Sequence, residues 1–257
     1  MNILFTICGR AGSKGFKNKN LKELNGVPLV FYTLAVIFLY QEGNPEDKIE
    51  VAINTDSHEL INLVLKQDII NNIQIIERQK ELAGDTVPKV LVIQDTFMKC
   101  KQPDNYDIVI DLDITSPLRC VQDIEDVIKE FKKNKYDVVF SVVKARRSPY
   151  FNMVEKRGEY YRKICQSSYT ARQQAPKVYE LNASIYGYNP EFLTDKIEKT
   201  ILDYRCGIVE MNDYLVLDID SEEDLELMEE LVPILIKRDQ GLKELLSFLK
   251  KYRYGKN

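Results

Sequence analysis

Two hydrophobic rhythms alternate along the first 145 residues of this chain. Short apolar runs, "NILFTIC" (2–8), "KIEVAIN" (48–54), "IQIIER" (73–78), "DIVIDLD" (107–113) and "DVVFSVV" (137–143), have the length and β-branched content of buried strands. Between them, "VFYTLAVIFLY", "SHELINLVLKQ", "PKVLVIQDTFMKC" and "DIEDVIKEFKK" repeat apolar residues near the helical period of about 3.6. Such alternation predicts βαβ units and an α/β fold, a mainly parallel sheet with helices on both faces. Ligands of these sheets bind beyond the carboxyl ends of the strands. Three loops leave strands at those ends, 8–20, 54–57 and 111–119.

The rhythm breaks over residues 144–180, which are basic, rich in tyrosine and without a helical stripe. Within them "EKRGEYY" signals a hairpin. The stretch reads as a β-rich excursion that returns to the main sheet at "ASIYGYN" (183–189). "YLVLDID" (214–220) predicts a further strand, and "SEEDLELMEELVPILI" opens with a capping box of Ser221 and Asp224. The chain is thus expected to form one domain over 1–236, with an amphipathic helical tail at 237–257.

Composition narrows the classes. Of the 257 residues 44% are hydrophobic and 30% charged, ordinary for a globular protein, and no apolar run approaches the span of a bilayer. No secretion signal opens the chain. The five cysteines are scattered and without CxxC spacing, which suits reduced thiols in a cytoplasm. His58 stands alone and is expected at the surface of a helix start. A formal net charge of -4 with interspersed signs argues against a nucleic-acid surface.

Against that acidic balance, the first strand empties into "CGRAGSKGFKNKN" (8–20), which holds Arg10, Lys14, Lys17 and Lys19 and no acid. Glycines let backbone approach an anion closely, and cations at several positions can wrap a polyphosphate. The loop lacks the GxxxxGK[ST] of a Walker A and the GxGxxG of a dinucleotide fold. Further along, Asp218 and Asp220 are two apart, so on a strand both face one side and suit Mg2+. Asp111 and Asp113 have the same spacing and form a rival pair. No Ser–His or Cys–His pair suggests covalent catalysis, which is consistent with phosphoryl-type transfer by positioning and charge neutralisation.

The run "ICGRAGSKGFKNKNLKELNGVPLV", with "ERQKELAGDTVPK" (77–89), "TSPLR" (115–119), "ARQQAPKVYELNASIYGY" (171–188) and "DIDSEEDL" (218–225), resembles the acylneuraminate cytidylyltransferases. The resemblance covers about residues 3–228. The family carries alanine where this chain has Gly9, a position where only bulk would matter. The resemblance implies a three-layer Rossmann-like nucleotidyltransferase, CTP as donor, a nonulosonic acid as acceptor, Mg2+ as cofactor, and a homodimer built through the 144–180 excursion. It places Arg10, Ala11, Gly12, Ser13, Lys14, Lys19, Asn20, Arg78, Asp85 and Val87 on the nucleotide, and Asp113, Thr115, Ser116, Arg172, Gln173, Asn182 and Tyr186 at the sugar acid. It puts Mg2+ on Asp218 and Asp220, with Lys19 and Asp218 as the catalytic groups.

"DLDITSPLR", "ARRSPYFN" and "RQQAPKVYELNASIY" are most similar to the legionaminic acid branch of that family. Asp113 stands where the sialic acid enzymes carry a glutamine, and an ionised carboxylate only accepts hydrogen bonds. The acceptor is therefore expected to present an N–H or O–H donor to Asp113. Alternatives are a 3-deoxy-manno-octulosonate or other sugar nucleotidyltransferase, and a silent nucleotide-binding protein on the same scaffold.

Overall fold

The computed structural model describes residues 1–12, 15–101, 103–212 and 218–254. The chain runs through β1 (Asn2–Cys8), a small ribbon of β2 (Glu23–Leu24) and β3 (Val27–Pro28), α1 (Leu29–Gly43), β4 (Lys48–Thr55), α2 (His58–Leu65) and β5 (Gln74–Glu77). It continues with α3 (Lys89–Lys99), β6 (Ile108–Leu112), α4 (Val121–Lys133), β7 (Val138–Lys144), the hairpin strands β8 (Val154–Arg157) and β9 (Tyr160–Lys163), and β10 (Tyr179–Tyr188). It ends with α5 (Pro190–Thr194), β11 (Cys206–Glu210), α6 (Glu222–Leu235) and α7 (Gln240–Tyr254). No helix of the described residues is long and apolar enough to cross a membrane.

One sheet of seven strands, in the order β11-β7-β10-β6-β1-β4-β5, organises the molecule. Every strand but β10 runs in the same direction. The chain steps outward from β1 to β4 and β5, then returns to place β6 on the other flank of β1. That reversal opens a crevice at the carboxyl ends of β1 and β6, the place where open α/β sheets bind ligands.

Strand alternation sorts the side chains into two cores. Ile3, Phe5 and Ile7 of β1 pack with α1, α2, α4, α6 and α7 on one face. Leu4 packs with Val90, Ile93 and Phe97 of α3 and Phe192 of α5 on the other. The sheet is therefore covered on both faces, as near-continuous apolar strands require. The run at Val27–Tyr40 forms a helix from Leu29 onward, with Pro28 as its N-cap. Helix α1 lies between the sheet and α7, whose Phe248 stacks on Phe38 at 5.1 Å. Ser221 accepts from the Asp224 amide and Asp224 accepts from the Ser221 amide, so the expected capping box opens α6. His58 begins α2 and is exposed, as expected.

One expectation differs, and one strand was not foreseen. The strand at 214–220 falls mostly on 213–217, which lie outside the described residues, and 218–220 carry no strand pairing. Instead the Ile219 amide donates to the Thr115 carbonyl at 2.9 Å. Strand β11, "CGIVE", is short and interrupted by Gly207, and its burial does not alternate with its hydrophobic residues, so it left no signal.

Gly187 in β10 marks a close approach of strand and helix. A Cβ there would stand 2.9 Å from Val127 Cγ1 and 3.3 Å from Ile108 Cδ1. Valine on a helix has one preferred rotamer and cannot swing aside. Gly187→Ala is expected to lower stability by about 1–3 kcal/mol, the range for overpacking. A urea melt with an unchanged midpoint would contradict it.

Candidate active site

Glycines shape the loop that follows β1. A Cβ on Gly9 would lie 2.8 Å from both Ile114 Cδ1 and Leu60 Cδ2, terminal methyls that would have to shift to admit an alanine. Gly12 takes φ +70, a conformation that favours glycine. Asp56, at the end of β4, accepts from the Ala11 amide at 2.7 Å and ties the loop to the sheet. The buried Asn20 donates to the Arg10 carbonyl at 3.0 Å. Arg10 in turn reaches Asp85 and the Ala83 carbonyl. Ser13 and Lys14 lie outside the described residues.

The segment after β5 forms the facing wall. Arg78 is buried and donates from Nε to Asn54 Oδ1 at 2.8 Å and from Nη2 to the Asn54 carbonyl at 2.9 Å. Its fork is thus fixed by the neighbouring strand. Cys8, Arg10, Lys19, Asn20, Arg78, Asp85, Val87, Lys89 and Asp113 line one pocket of about 200 Å3. Of the cations expected to take phosphate, Arg10 and Lys19 line this pocket, while Lys14 lies outside the described residues. Loops 8–20 and 111–119 contribute directly, while 54–57 acts behind them through Asn54 and Asp56.

Two carboxylate pairs meet here with different surroundings. Asp111 is fully buried; its Oδ1 accepts from Thr6 at 2.8 Å and its Oδ2 lies 2.7 Å from Lys89 Nζ. Asp113 Oδ2 lies 2.6 Å from the same ammonium, and its Oδ1 accepts from the Thr115 amide at 3.1 Å and hydroxyl at 2.9 Å. Burial opposes ionisation of Asp113, but Lys89 and Thr115 hold its carboxyl well below the usual range. Burial also opposes the Lys89 charge, and Asp111 and Asp113 outweigh it, holding the ammonium well above the usual lysine range. This pair already contains its cation.

Asp218 and Asp220 are the open pair. Asp218 Oδ1 is buried and finds no hydrogen-bond partner among the described residues. Burial, and then the charge of Asp113, push its carboxyl above the usual range against Thr115 and Lys19. Asp220 is exposed, with Oδ1 2.9 Å from Lys19 Nζ. An unsatisfied buried carboxylate oxygen beside a second carboxylate is the donor set a hard divalent cation takes. The thiol of Cys8 is pushed up by burial and by Asp111, so it is a poor nucleophile.

Beneath the pocket, Arg119 is fully buried. Its Nη2 donates to the Asp113 and Ser116 carbonyls, and its Nε to Ser184 Oγ at 3.2 Å. It pins the 113–116 turn from below. Ser184 reaches it through a bulge in β10, where the pairing jumps from Leu181 opposite Val142 to Tyr186 opposite Phe140. Ala183 takes φ 53 within that bulge, a strained conformation for a residue with a Cβ.

The bulge also revises the sugar-side expectation. Asn182 and Tyr186 do not share a face. Asn182 is buried, accepting from Ser141 Oγ at 2.5 Å, while the Tyr186 ring lies against Phe140, the next residue along β7 and hence on the opposite face. Tyr186 stays beside the pocket, its ring 5.8 Å from Lys89 Nζ. Thr115 and the fully buried Ser116 form the turn between the two carboxylate pairs. Arg172 and Gln173 lie elsewhere, lining a basic groove with Lys144, Arg147 and Lys177. The Asp113 oxygens are already engaged by Lys89 and Thr115, so an acceptor donor to Asp113 is not what the site invites.

Lys89 and Arg119 were not singled out in the sequence. A lysine at the first position of a helix opposes the helix dipole, and that misplaced charge is the signal that would have marked Lys89. Arg119 offered no signal beyond its place in "TSPLR".

A family model described as Cytidylyltransferase matches residues 4–252. The chain is 34% identical to the Post-translational flagellin modification protein B of Campylobacter coli over 232 residues, covering 90% of this chain and 94% of that one. It is 32% identical to the CMP-N,N'-diacetyllegionaminic acid synthase of Campylobacter jejuni, covering 90% of this chain and 95% of that one. A solved CMP:2-keto-3-deoxy-manno-octonic acid synthetase, complexed with CTP, superposes with a TM-score of 0.65 at 16% identity, covering 91% of this chain and 99% of that one. That likeness shows the fold.

Arg119→Met is expected to unfold the turn by leaving the Asp113 and Ser116 carbonyls unpaired. Hydrogen bonds to a charged group contribute about 1.5–3 kcal/mol each, so stability should fall by at least that amount. A denaturant midpoint matching the parent protein would refute the role.

Proposed function

We propose that this chain, which belongs to the cytidylyltransferase family, delivers CMP from CTP to the 2-hydroxyl of a nonulosonic acid, with N,N'-diacetyllegionaminate favoured over N-acetylneuraminate, and releases pyrophosphate. The near full-length match to the Campylobacter jejuni synthase carries the acceptor reading. The pocket chemistry supports the donor half. Arg10 and Lys19 converge on one anion-sized cavity at the carboxyl ends of the strands. Both are held now by carboxylates that phosphate would replace, Asp85 for Arg10 and Asp220 for Lys19. Lys19 would meet the charge that grows on the α-phosphate, which would make its contribution one of transition-state stabilisation.

Asp218 and Asp220 are the residues that would hold Mg2+, because the rival pair is closed by Lys89. A bound Mg2+ supplies Lewis-acid polarisation of the phosphate and eases deprotonation of the attacking hydroxyl. Asp218, whose carboxyl burial holds above the usual range, would take that proton, or a metal-bound water would do so. Five free cysteines suit a reducing, cytoplasmic setting.

The hairpin of β8 and β9 supports a homodimer. Tyr160 and Tyr161 are 66% and 67% exposed and β8 is exposed throughout. An isolated two-stranded ribbon is marginal in water, and a partner copy would cover it. Arg172, which does not line this chain's own pocket, would then serve the acceptor carboxylate across that interface.

The activity is tested by pyrophosphate release with CTP and a panel of sugar acids. kcat/KM for N,N'-diacetyllegionaminate should exceed that for N-acetylneuraminate at least tenfold, about 1.4 kcal/mol. A preference for N-acetylneuraminate would overturn the acceptor assignment. Asp218→Asn and Asp220→Asn should each lower turnover at least about 100-fold, about 2.7 kcal/mol, with the fold intact. Parent rates at limiting Mg2+ would move the metal elsewhere. Deleting residues 154–163 should give a monomer of reduced activity; a fully active monomer by light scattering would refute the shared interface.

A further inference from the structure

Among the described residues, four buried side-chain atoms find no hydrogen-bond partner, and all four lie at or beneath the site. One is Asp111 Oδ2, which the Lys89 ammonium compensates at 2.7 Å. The other three are Arg119 Nη1, Ser116 Oγ and Asp218 Oδ1. Leaving a buried polar atom unpaired is costly, and three on adjoining segments call for a reason. Their chemistry is complementary. A guanidinium nitrogen only donates, a carboxylate oxygen only accepts, and a serine hydroxyl does both. The three make up a donor, a relay and an acceptor, and need no further group to satisfy one another.

The backbone brings them together. The Ile219 amide donates to the Thr115 carbonyl at 2.9 Å, so the peptide joining 218 to 219 lies against the peptide joining 115 to 116. Ser116 and Asp218 flank that one hydrogen bond. From below, Arg119 Nη2 donates to the Ser116 carbonyl, and Nη1 belongs to the same rigid fork. Arg119 and Ser116 are both 0% exposed. The bonds Arg119 makes go to two carbonyls and the Ser184 hydroxyl, all of them neutral. A buried guanidinium bonded to neutral groups and a buried carboxylate oxygen bonded to nothing are thus separated by one hydroxyl. The charge of Asp218 reaches Arg119 across that gap.

We propose that Arg119 and Ser116 are positioning residues for the metal carboxylate: Arg119 Nη1 donates to Ser116 Oγ, and the Ser116 hydroxyl donates to Asp218 Oδ1. That oxygen is then fixed, and the other oxygen of Asp218 is the one turned to the cation. A rotation of the Ser116 side chain between staggered positions closes the relay. The inference rests on the reading of Asp218 and Asp220 as the holders of a divalent cation, and it gives the fully buried Ser116 a task beneath the site.

Ser116→Ala separates this relay from a hydroxyl without a task. Removing an unpaired buried hydroxyl would leave stability unchanged or raise it, whereas removing the relay loosens the cation. Mn2+ binding to the protein is read by electron paramagnetic resonance, with no turnover involved. Ser116→Ala is expected to weaken Mn2+ at least about tenfold, the lower end for losing the partner of a metal ligand. The Mg2+ needed for half-maximal turnover should rise by the same factor, with the CTP KM at saturating Mg2+ within about twofold of the parent. Arg119→Lys keeps the charge beneath the turn and loses the fork. It is expected to weaken Mn2+ to a similar degree, and the double variant to lose no more than either single change, since both act in one chain. Where Arg119→Lys does not fold, Ser116→Ala decides the question by itself. Losses that multiply in the double variant, or Mn2+ binding by Ser116→Ala equal to that of the parent, would overturn the relay. Asp218→Asn reads the premise separately. If it weakens Mn2+ and Ser116→Ala does not, the relay alone fails; if it binds Mn2+ as the parent does, the metal assignment fails and the relay with it.

Discussion

Asp111 and Asp113 bring two negative charges to the buried end of the central strand, and the site is built around their compensation. Lys89 answers them from the first turn of α3, and Arg119 answers from below through the Asp113 backbone. Burying an unpaired carboxylate costs several kcal/mol, so these cations are obligatory. They fix the 113–116 turn, and the Thr115 carbonyl in turn holds Ile219 between the two open carboxylates. One electrostatic requirement at the end of β6 thus sets the geometry of a neighbouring segment more than a hundred residues away.

That arrangement explains why two carboxylate pairs of equal spacing differ in role. An internal ammonium satisfies Asp111 and Asp113, which become a rigid support. Among the described residues, Asp218 and Asp220 meet Lys19 and the Thr115 hydroxyl, with Arg119 beneath, and one oxygen of Asp218 is left without a hydrogen-bond partner. A group that lacks compensation within the protein is available to a ligand, as a group already compensated is not. The same contrast separates Arg78, whose fork is spent on Asn54, from Arg10 and Lys19, whose surface partners phosphate can displace. A family of CTP-dependent nucleotidyltransferases needs both kinds of group: fixed walls, and charges free to exchange partners.

The bulge in β10 shows the cost of this construction. Ala183 is held at positive φ, which disfavours a side chain. In return the strand turns Ser184 onto Arg119 and Asn182 onto Ser141, which gives these buried side chains partners within a sheet that is otherwise apolar. Backbone strain beside a site persists when the surrounding bonds over-determine it.

The sequence by itself determined the layers and most of the elements. Apolar runs and helical periodicities located the strands at 2–8, 48–54, 73–78, 107–113 and 137–143 and the helices between them, because burial on two sheet faces leaves that pattern in any chain. The glycine-rich cationic loop and its motif partners pointed to nucleotide chemistry because phosphate needs close backbone and converging cations. Tertiary structure alone decided which like residues do different work. Period-two spacing put Asn182 and Tyr186 on one face, and a bulge that no local signal marks separated them. Spacing could not tell Asp111 and Asp113 from Asp218 and Asp220, since the difference lies in Lys89, which reaches the first pair only after α3 has packed across the sheet. A side chain's role at this site follows from the charge that folding places against it, and that is a property of the assembled molecule.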